Sequence, residues 1–256
     1  MKIFIPILLF TILSFQLMSQ SNNIEVSCDP ETGLCTIPVF STDTKALVNW
    51  KTDEEIIYIG DPMCSWCWGI SPQLNALQRY AQQAGIPFRI VMGGLRPGGG
   101  DEWNSTFKDF LKHHWEEIHQ RCGQPFGYEL FDLENFNYDT EPACRAIVTA
   151  RSMAPDKVLR FYELVQHSFY VESNDPKLVE FYKPICEELE INYSKFSQEF
   201  SSQEMKEATR QDFTQSRQWG VSGFPSVIYR KNDQLHSIAN GYSTYEKMKD
   251  ALEAIE

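Results

Sequence analysis

A chain of 256 residues with 42% hydrophobic and 23% charged side chains can build one sizeable core, and nothing in that ordinary globular balance suggests disorder. Its net charge of −12 argues against nucleic acid and anionic membrane surfaces as partners. The 17 Phe, 11 Tyr and 6 Trp fit a large packed interior.

The N-terminus opens with Met1-Lys2 and continues as an apolar run, Ile3 to Met18, broken only by Thr11, Ser14 and Gln16. One lysine before a short apolar run is the pattern of a secretory signal, with cleavage expected between Ser19 and Gln20. A spanning helix would need about 20 apolar residues. Residues 1–19 are therefore read as a signal peptide, and the bacterial periplasm is the expected compartment. The membrane is a partner only if the segment stays uncleaved. Seven cysteines in an exported chain permit disulfides, and the odd count leaves at least one thiol unpaired or bonded to another molecule.

Residues 20–54 form an expected N-terminal arm. It carries Cys28-Asp29-Pro30-Glu31-Thr32-Gly33-Leu34-Cys35, rich in turn formers, and the short apolar stretch Ile37 to Phe40. Cys28 and Cys35 are candidates for a local second disulfide; a sharper alternative has them relay electrons to a second cysteine pair. Ile56 to Ile59 reads as a buried strand. A helical pattern follows in Ile70, Leu74, Leu77 and Ala81, ended by Gly85 and kinked at Pro72. Phe88 to Met92 predicts a second strand, which completes a βαβ unit with a parallel pair.

The Gly93-Gly94-Leu95-Arg96-Pro97-Gly98-Gly99-Gly100 segment lacks phosphate-loop spacing and reads as a flexible turn. Residues 102–219 look helical almost throughout. Asp156 is expected to cap a helix, and Asp175-Pro176 to start another that kinks at Pro184. Helices are also expected over 105–121, 141–153 and 204–219. Ser226 to Tyr229 and Leu235 to Ala239 form a hairpin around Asn232-Asp233. Thr244 caps a last helix bearing Tyr245, Met248, Leu252 and Ile255. The order βαβ, helical block, ββα predicts an α/β fold: two halves of one sheet (55–100 and 220–256) separated by an all-helical insertion (101–219).

Cys64 and Cys67 fall at the strand-to-helix turn. A sulfur at a helix N-terminus meets unpaired N–H groups and the positive end of the helix dipole, which stabilise the nucleophilic thiolate. Cys64 is then the attacking, more exposed thiol, and Cys67 resolves the mixed disulfide. A zinc site would need a second closely spaced ligand pair, which is not found, so no metal is expected. Gly223-Phe224-Pro225 precedes a strand, and a cis bond at Pro225 would present the backbone of Phe224 to an extended substrate. Cys122, Cys144 and Cys186 read as small buried hydrophobes.

Asp61-Pro62-Met63-Cys64-Ser65-Trp66-Cys67-Trp68-Gly69-Ile70-Ser71-Pro72, Gly93-Gly94-Leu95-Arg96-Pro97, Thr140-Glu141-Pro142-Ala143-Cys144-Arg145-Ala146 and Gly223-Phe224-Pro225 together resemble the DsbA-family thioredoxin-fold proteins, over about residues 55–256. The resemblance implies a thioredoxin fold with a large all-helical insertion and a redox-active disulfide in place of any cofactor. It also implies protein thiol or disulfide substrates and a redox-recycling partner. Cys64 and Cys67 would be catalytic, with Trp66, Trp68, Phe224 and Pro225 on the substrate side. Two features depart from the family pattern. Ser65-Trp66 stands where the best-known oxidase has Pro-His, and Ile56 to Ile59 supplies no buried acid, so proton handling would fall to water or to Glu54 and Glu55. Two other readings are a kappa-class-like glutathione transferase or isomerase, and a non-catalytic module docking partners on Trp66, Trp68 and Phe224.

Overall fold

The computed structural model describes residues 27–29, 31, 34–36 and 52–255. The expected signal peptide and the apolar stretch Ile37 to Phe40 lie outside the described residues. Strands β1 (Ser27–Asp29) and β2 (Leu34–Thr36) form an antiparallel hairpin. The central strand β3 (Glu54–Gly60) pairs in parallel with β4 (Phe88–Met92) and antiparallel with β6 (Ser226–Lys231), which turns back into β7 (Gln234–Asn240). The sheet order is β4-β3-β6-β7. Ile56, Ile57, Tyr58 and Ile59 are fully buried, as a continuous apolar strand covered on both faces must be. Asn232 and Asp233 both take positive φ, the conformation of a two-residue hairpin turn and one that Asn and Asp tolerate.

Helix α1 (Ser65–Ala84) ends at Gly85 in the left-handed conformation, where glycine carries no Cβ penalty. Pro72 lies inside α1 and has no N–H for the Trp68 carbonyl. The side-chain amide of Gln124 donates to that carbonyl instead, at 2.8 Å, so the broken rung is repaired from outside the helix.

Between β4 and the short strand β5 (Gly223–Phe224) the chain is helical in pieces. These are α2 (Ser105–Cys122), α3 (Glu141–Met153), α4 (Val158–Tyr170), α5 (Lys183–Glu188), α6 (Tyr193–Ser201) and α7 (Gln203–Gln218). Helix α8 (Tyr245–Glu253) closes the chain and packs on α1, with Thr244 accepting from the Lys247 N–H. Near-continuous helix over 102–219 is therefore a correction: residues 123–140 hold one short 3-10 turn at Glu129–Asp132. Asp175 starts a turn, not a long helix; its carboxylate accepts from the Lys177 N–H, and a 3-10 turn (Val179–Tyr182) leads into α5. Pro184 sits in the first turn of α5, where its missing N–H costs nothing, so it starts a helix where a kink was expected. Asp156 lies in a 3-10 turn (Pro155–Lys157) and makes no side-chain cap to α4.

The Gly93–Gly100 segment is more than a surface turn, because Leu95 and Arg96 are buried. Arg96 pairs with Asp101 and lies over the Phe107 ring. Arg151 makes a two-pronged contact with Asp212 and reaches the Ile90 carbonyl, while Asp212 also accepts from the Met92 N–H. α3, α7 and β4 are thereby tied just before the chain enters the site.

Candidate active site

Cys64 is the N-cap of α1, in extended conformation. Its N–H donates to the Asp61 carbonyl, and its own carbonyl accepts from the N–H groups of Cys67 (2.9 Å) and Trp68 (3.1 Å). The first turn thus begins on the cysteine, and Cys67, one turn along, is a hydrogen-bond neighbour of the Cys64 thiol. Across the site the Phe224–Pro225 peptide is cis, and the Phe224 carbonyl lies 3.8 Å from Cys64 Sγ, a weak S–H contact. The structure thus brings together Cys64, Cys67, Phe224 and Pro225, which are 160 residues apart at the widest hydrogen bond.

Exposure departs from expectation. Cys64, Cys67, Trp66 and Phe224 have no accessible surface, and Trp68 has 4%. The expected exposed thiol and apolar docking patch are absent among the described residues. The reason is packing. Trp66 tilts against Tyr242 and lies under Arg121, while Trp68 stacks on Tyr170 and donates its indole N–H to the Pro125 carbonyl. Burial pushes the Cys64 thiol well up, and the neighbouring Cys67 thiol and Asp61 add to it, while the Cys67 backbone contact opposes. Here desolvation outweighs the helix N-terminus.

The buried acid follows the strand instead of lying within it. Asp61 is fully buried. One oxygen accepts from the Met63 N–H (2.9 Å). The other accepts from the Leu95 N–H (2.7 Å), the Thr140 hydroxyl (2.7 Å) and the Cys144 thiol (3.3 Å). It joins the cysteine loop, the loop after β4 and the start of α3. Glu54 and Glu55, expected to handle protons, sit at the opposite end of β3, on the Tyr229 hydroxyl and Arg89 respectively. At about 3.3 Å per residue, Glu54 is roughly 20 Å from the far end of its strand, so that expectation is corrected.

Tyr58 is the second group the sequence reading passed over. Its hydroxyl lies 3.2 Å from that of Tyr162 and contacts Cys67. Burial holds both hydroxyls protonated, so a pair of tyrosine hydroxyls, either of which can donate to the other, faces Cys67. A Cβ at Gly60 would fall 2.3 Å from the Tyr58 hydroxyl; glycine leaves the space that it fills. Position 58 in a buried strand hinted at this, but Tyr162 on α4 carried no signal. Cys144 and Cys186 are buried as expected and Cys122 is half-buried. Among the described residues no three His, Cys, Asp or Glu gather as metal ligands.

Burial raises the Asp61 carboxyl, and its hydrogen bonds oppose the rise. Because its folded value exceeds its unfolded one, its contribution to stability is present at acid pH and is lost as pH rises through the folded value. Asp61→Asn is expected to remove that pH dependence. It also turns an amide donor toward donors, at a cost of about 1–3 kcal/mol. Removing the charge should lower the Cys64 thiol pKa. Guanidinium unfolding at several pH values, with thiolate absorbance for Cys64, measures both; an unmoved Cys64 titration would refute the electrostatic link.

A parallel strand pair bridged by α1, an antiparallel return through β6 and β7, and a cysteine pair facing a cis-proline define a thioredoxin-fold protein arranged for thiol chemistry. The sequence model of the DSBA-like thioredoxin domain matches residues 55–253, and the chain belongs to this family of thiol–disulfide oxidoreductases, which work through a redox-active disulfide without a cofactor. A Nitrosomonas europaea structure, described by inference as a protein disulfide isomerase, is 33% identical, with a TM-score of 0.73 over 79% of this chain and 97% of that one. The cytosolic disulfide reductase DsbM of Pseudomonas aeruginosa is 21% identical, with a TM-score of 0.64 over 78% of this chain and 98% of that one. The ClpXP adapter protein SpxH of Shouchella clausii is 21% identical over 83% of this chain and 68% of its own length. The last two likenesses speak to the fold alone.

Proposed function

We propose that this chain is an exported thiol–disulfide oxidoreductase that reduces or reshuffles protein disulfides through Cys64 and Cys67. The observation that carries the reading is the cysteine pair on the first turn of α1, with the Cys64 sulfur against the Phe224 carbonyl beside cis-Pro225. In the first step the Cys64 thiolate attacks a substrate disulfide. In the second, Cys67 displaces the substrate and closes the internal disulfide. A redox-recycling partner would return the pair to its starting state.

Two features favour the reducing side. A strong oxidant is one whose reduced form is stabilised. Here burial and Asp61 disfavour the Cys64 thiolate, and Ser65-Trp66 supplies no histidine to offset them. Export rests on Lys2 and the apolar run to Met18, and the periplasm is the compartment proposed.

The deciding measurement is the reduction potential of the Cys64–Cys67 couple, by glutathione equilibration and thiol trapping. A value near about −270 mV is expected for a reductase or repair enzyme, whereas one near about −120 mV would make the protein a disulfide donor. A chain with no reversible couple would not be an oxidoreductase.

A further inference from the structure

The N-terminal hairpin joins the site. β2 pairs antiparallel with β5, so the three strands run in the order β1-β2-β5. In this register Cys28 stands directly opposite Cys35, and Cys35 directly opposite Phe224. Directly opposite positions in antiparallel strands share one face of the sheet, with Cα atoms about 4.5 or 5.5 Å apart. Both spacings fall within the range of roughly 4.4–6.8 Å that a disulfide spans.

The row Cys28, Cys35, Phe224 ends at the residue whose carbonyl contacts Cys64 Sγ. The backbone edge expected to receive an extended substrate is therefore already taken by a segment of this chain, and that segment presents a cysteine at the position next to Phe224. The hairpin is also fastened to the cysteine motif. Arg121, at the end of α2, donates to the Glu31 carbonyl at 2.7 Å and lies over the ring of Trp66, between the two catalytic cysteines.

We propose that Cys28 and Cys35 form a second redox couple that exchanges directly with Cys64 and Cys67 inside one chain, the hairpin acting as a built-in substrate. The inference rests on the oxidoreductase reading above. From the oxidised site, the Cys35 thiolate attacks the Cys64 sulfur. A Cys35–Cys64 bond forms, the Cys64–Cys67 bond breaks, and Cys67 leaves as a thiolate that takes up the proton Cys35 gave. The Cys28 thiolate then attacks the Cys35 sulfur, releasing Cys64 as a thiolate that takes up the proton from Cys28. Two electrons and two protons pass from one pair to the other, and no further oxidant or reductant is needed. The reverse sequence returns them, so relative potential sets the direction.

The test removes both resolving cysteines. The whole chain carrying Cys28→Ala and Cys67→Ala, oxidised mildly with glutathione disulfide, is expected to form a Cys35–Cys64 bond within single molecules, at least tenfold over links between molecules. Non-reducing peptide mass mapping reads the link. As a second measurement, the fully reduced wild-type chain given one oxidising equivalent should share its disulfide between the two pairs, at a rate independent of protein concentration. Glutathione adducts alone, or a rate proportional to concentration, would overturn the proposal. Cys28→Ala/Cys35→Ala separates the two failures. If its Cys64–Cys67 couple persists while the Cys28→Ala/Cys67→Ala chain forms no Cys35–Cys64 link, only the relay fails; if that couple is missing, the oxidoreductase reading fails with it.

Discussion

Cys64→Ser is expected to reduce thiol–disulfide turnover to the uncatalysed background, while Cys67→Ala should retain the first attack and stall the second. The difference follows from their positions. Cys64 caps α1 and its sulfur faces the Phe224 carbonyl, the place where an incoming sulfur would meet it. Cys67 lies one helical turn along, equally buried, with the Tyr58 hydroxyl beside it. A serine at 64 cannot form a disulfide, so no covalent intermediate can arise. An alanine at 67, in a chain that also carries Cys28→Ala and Cys35→Ala, leaves the intermediate with no neighbouring thiol to release it, so mixed disulfides should accumulate under mild oxidation. Turnover of a disulfide-bonded protein substrate and non-reducing gels read the two steps separately. If that triple variant traps no partner, Cys67 does not resolve; if Cys64→Ser keeps turnover, another thiol is the nucleophile.

The βαβ and ββα halves were legible because each carries a local signal. Ile56 to Ile59 is an uninterrupted apolar run, Gly85 is a left-handed cap, and Asn232-Asp233 is a turn pair. The prolines could be located, but the contacts that accommodate them could not. Pro72 sits within a helix because Gln124, distant in sequence, takes the stranded carbonyl. Pro184 opens a helix, since a 3-10 turn already ends at Tyr182. The cysteine pair and Phe224-Pro225 were visible as motifs, and their meeting was inferred from the resemblance.

What stayed hidden depends on tertiary contact. Asp61 stands in the quoted motif, but its role comes from Leu95, Thr140 and Cys144, which fold onto it. A helix terminus alone predicts a stabilised thiolate, and burial, which runs the other way, cannot be read from a motif. The turn-rich stretch from Cys28 to Cys35 was legible as a local feature of the arm. Its pairing with β5 was not, because strands of two or three residues far apart in sequence carry no register signal of their own.

Gly93→Ala should damage the site from behind, through packing alone. Gly93 follows β4, and its N–H donates to the Gly60 carbonyl at 2.8 Å, so its backbone is held in place. A Cβ there would fall 2.0 Å from Cε1 and 2.1 Å from Cζ of Phe224. Phe224 is fully buried, so the ring cannot swing into solvent. It must push its own backbone, which carries the carbonyl facing Cys64. Overpacking of this kind costs about 1–3 kcal/mol, and a misplacement on the order of 1 Å at a reacting site can cost about 100-fold in rate.

Gly220→Ala is the control. A Cβ at Gly220 meets open space, but φ is +77°, so that change should cost about 1 kcal/mol of backbone strain and leave thiol exchange unchanged. Denaturant unfolding and exchange rates should therefore separate the two glycines, both destabilising and only Gly93 damaging the chemistry. The Gly93→Ala/Phe224→Ala double variant identifies the cause. With the ring gone the new methyl group has room, so the two losses should add to less than their sum, by at least about 0.5 kcal/mol. Strict additivity would mean that the Phe224 ring is not what position 93 presses against.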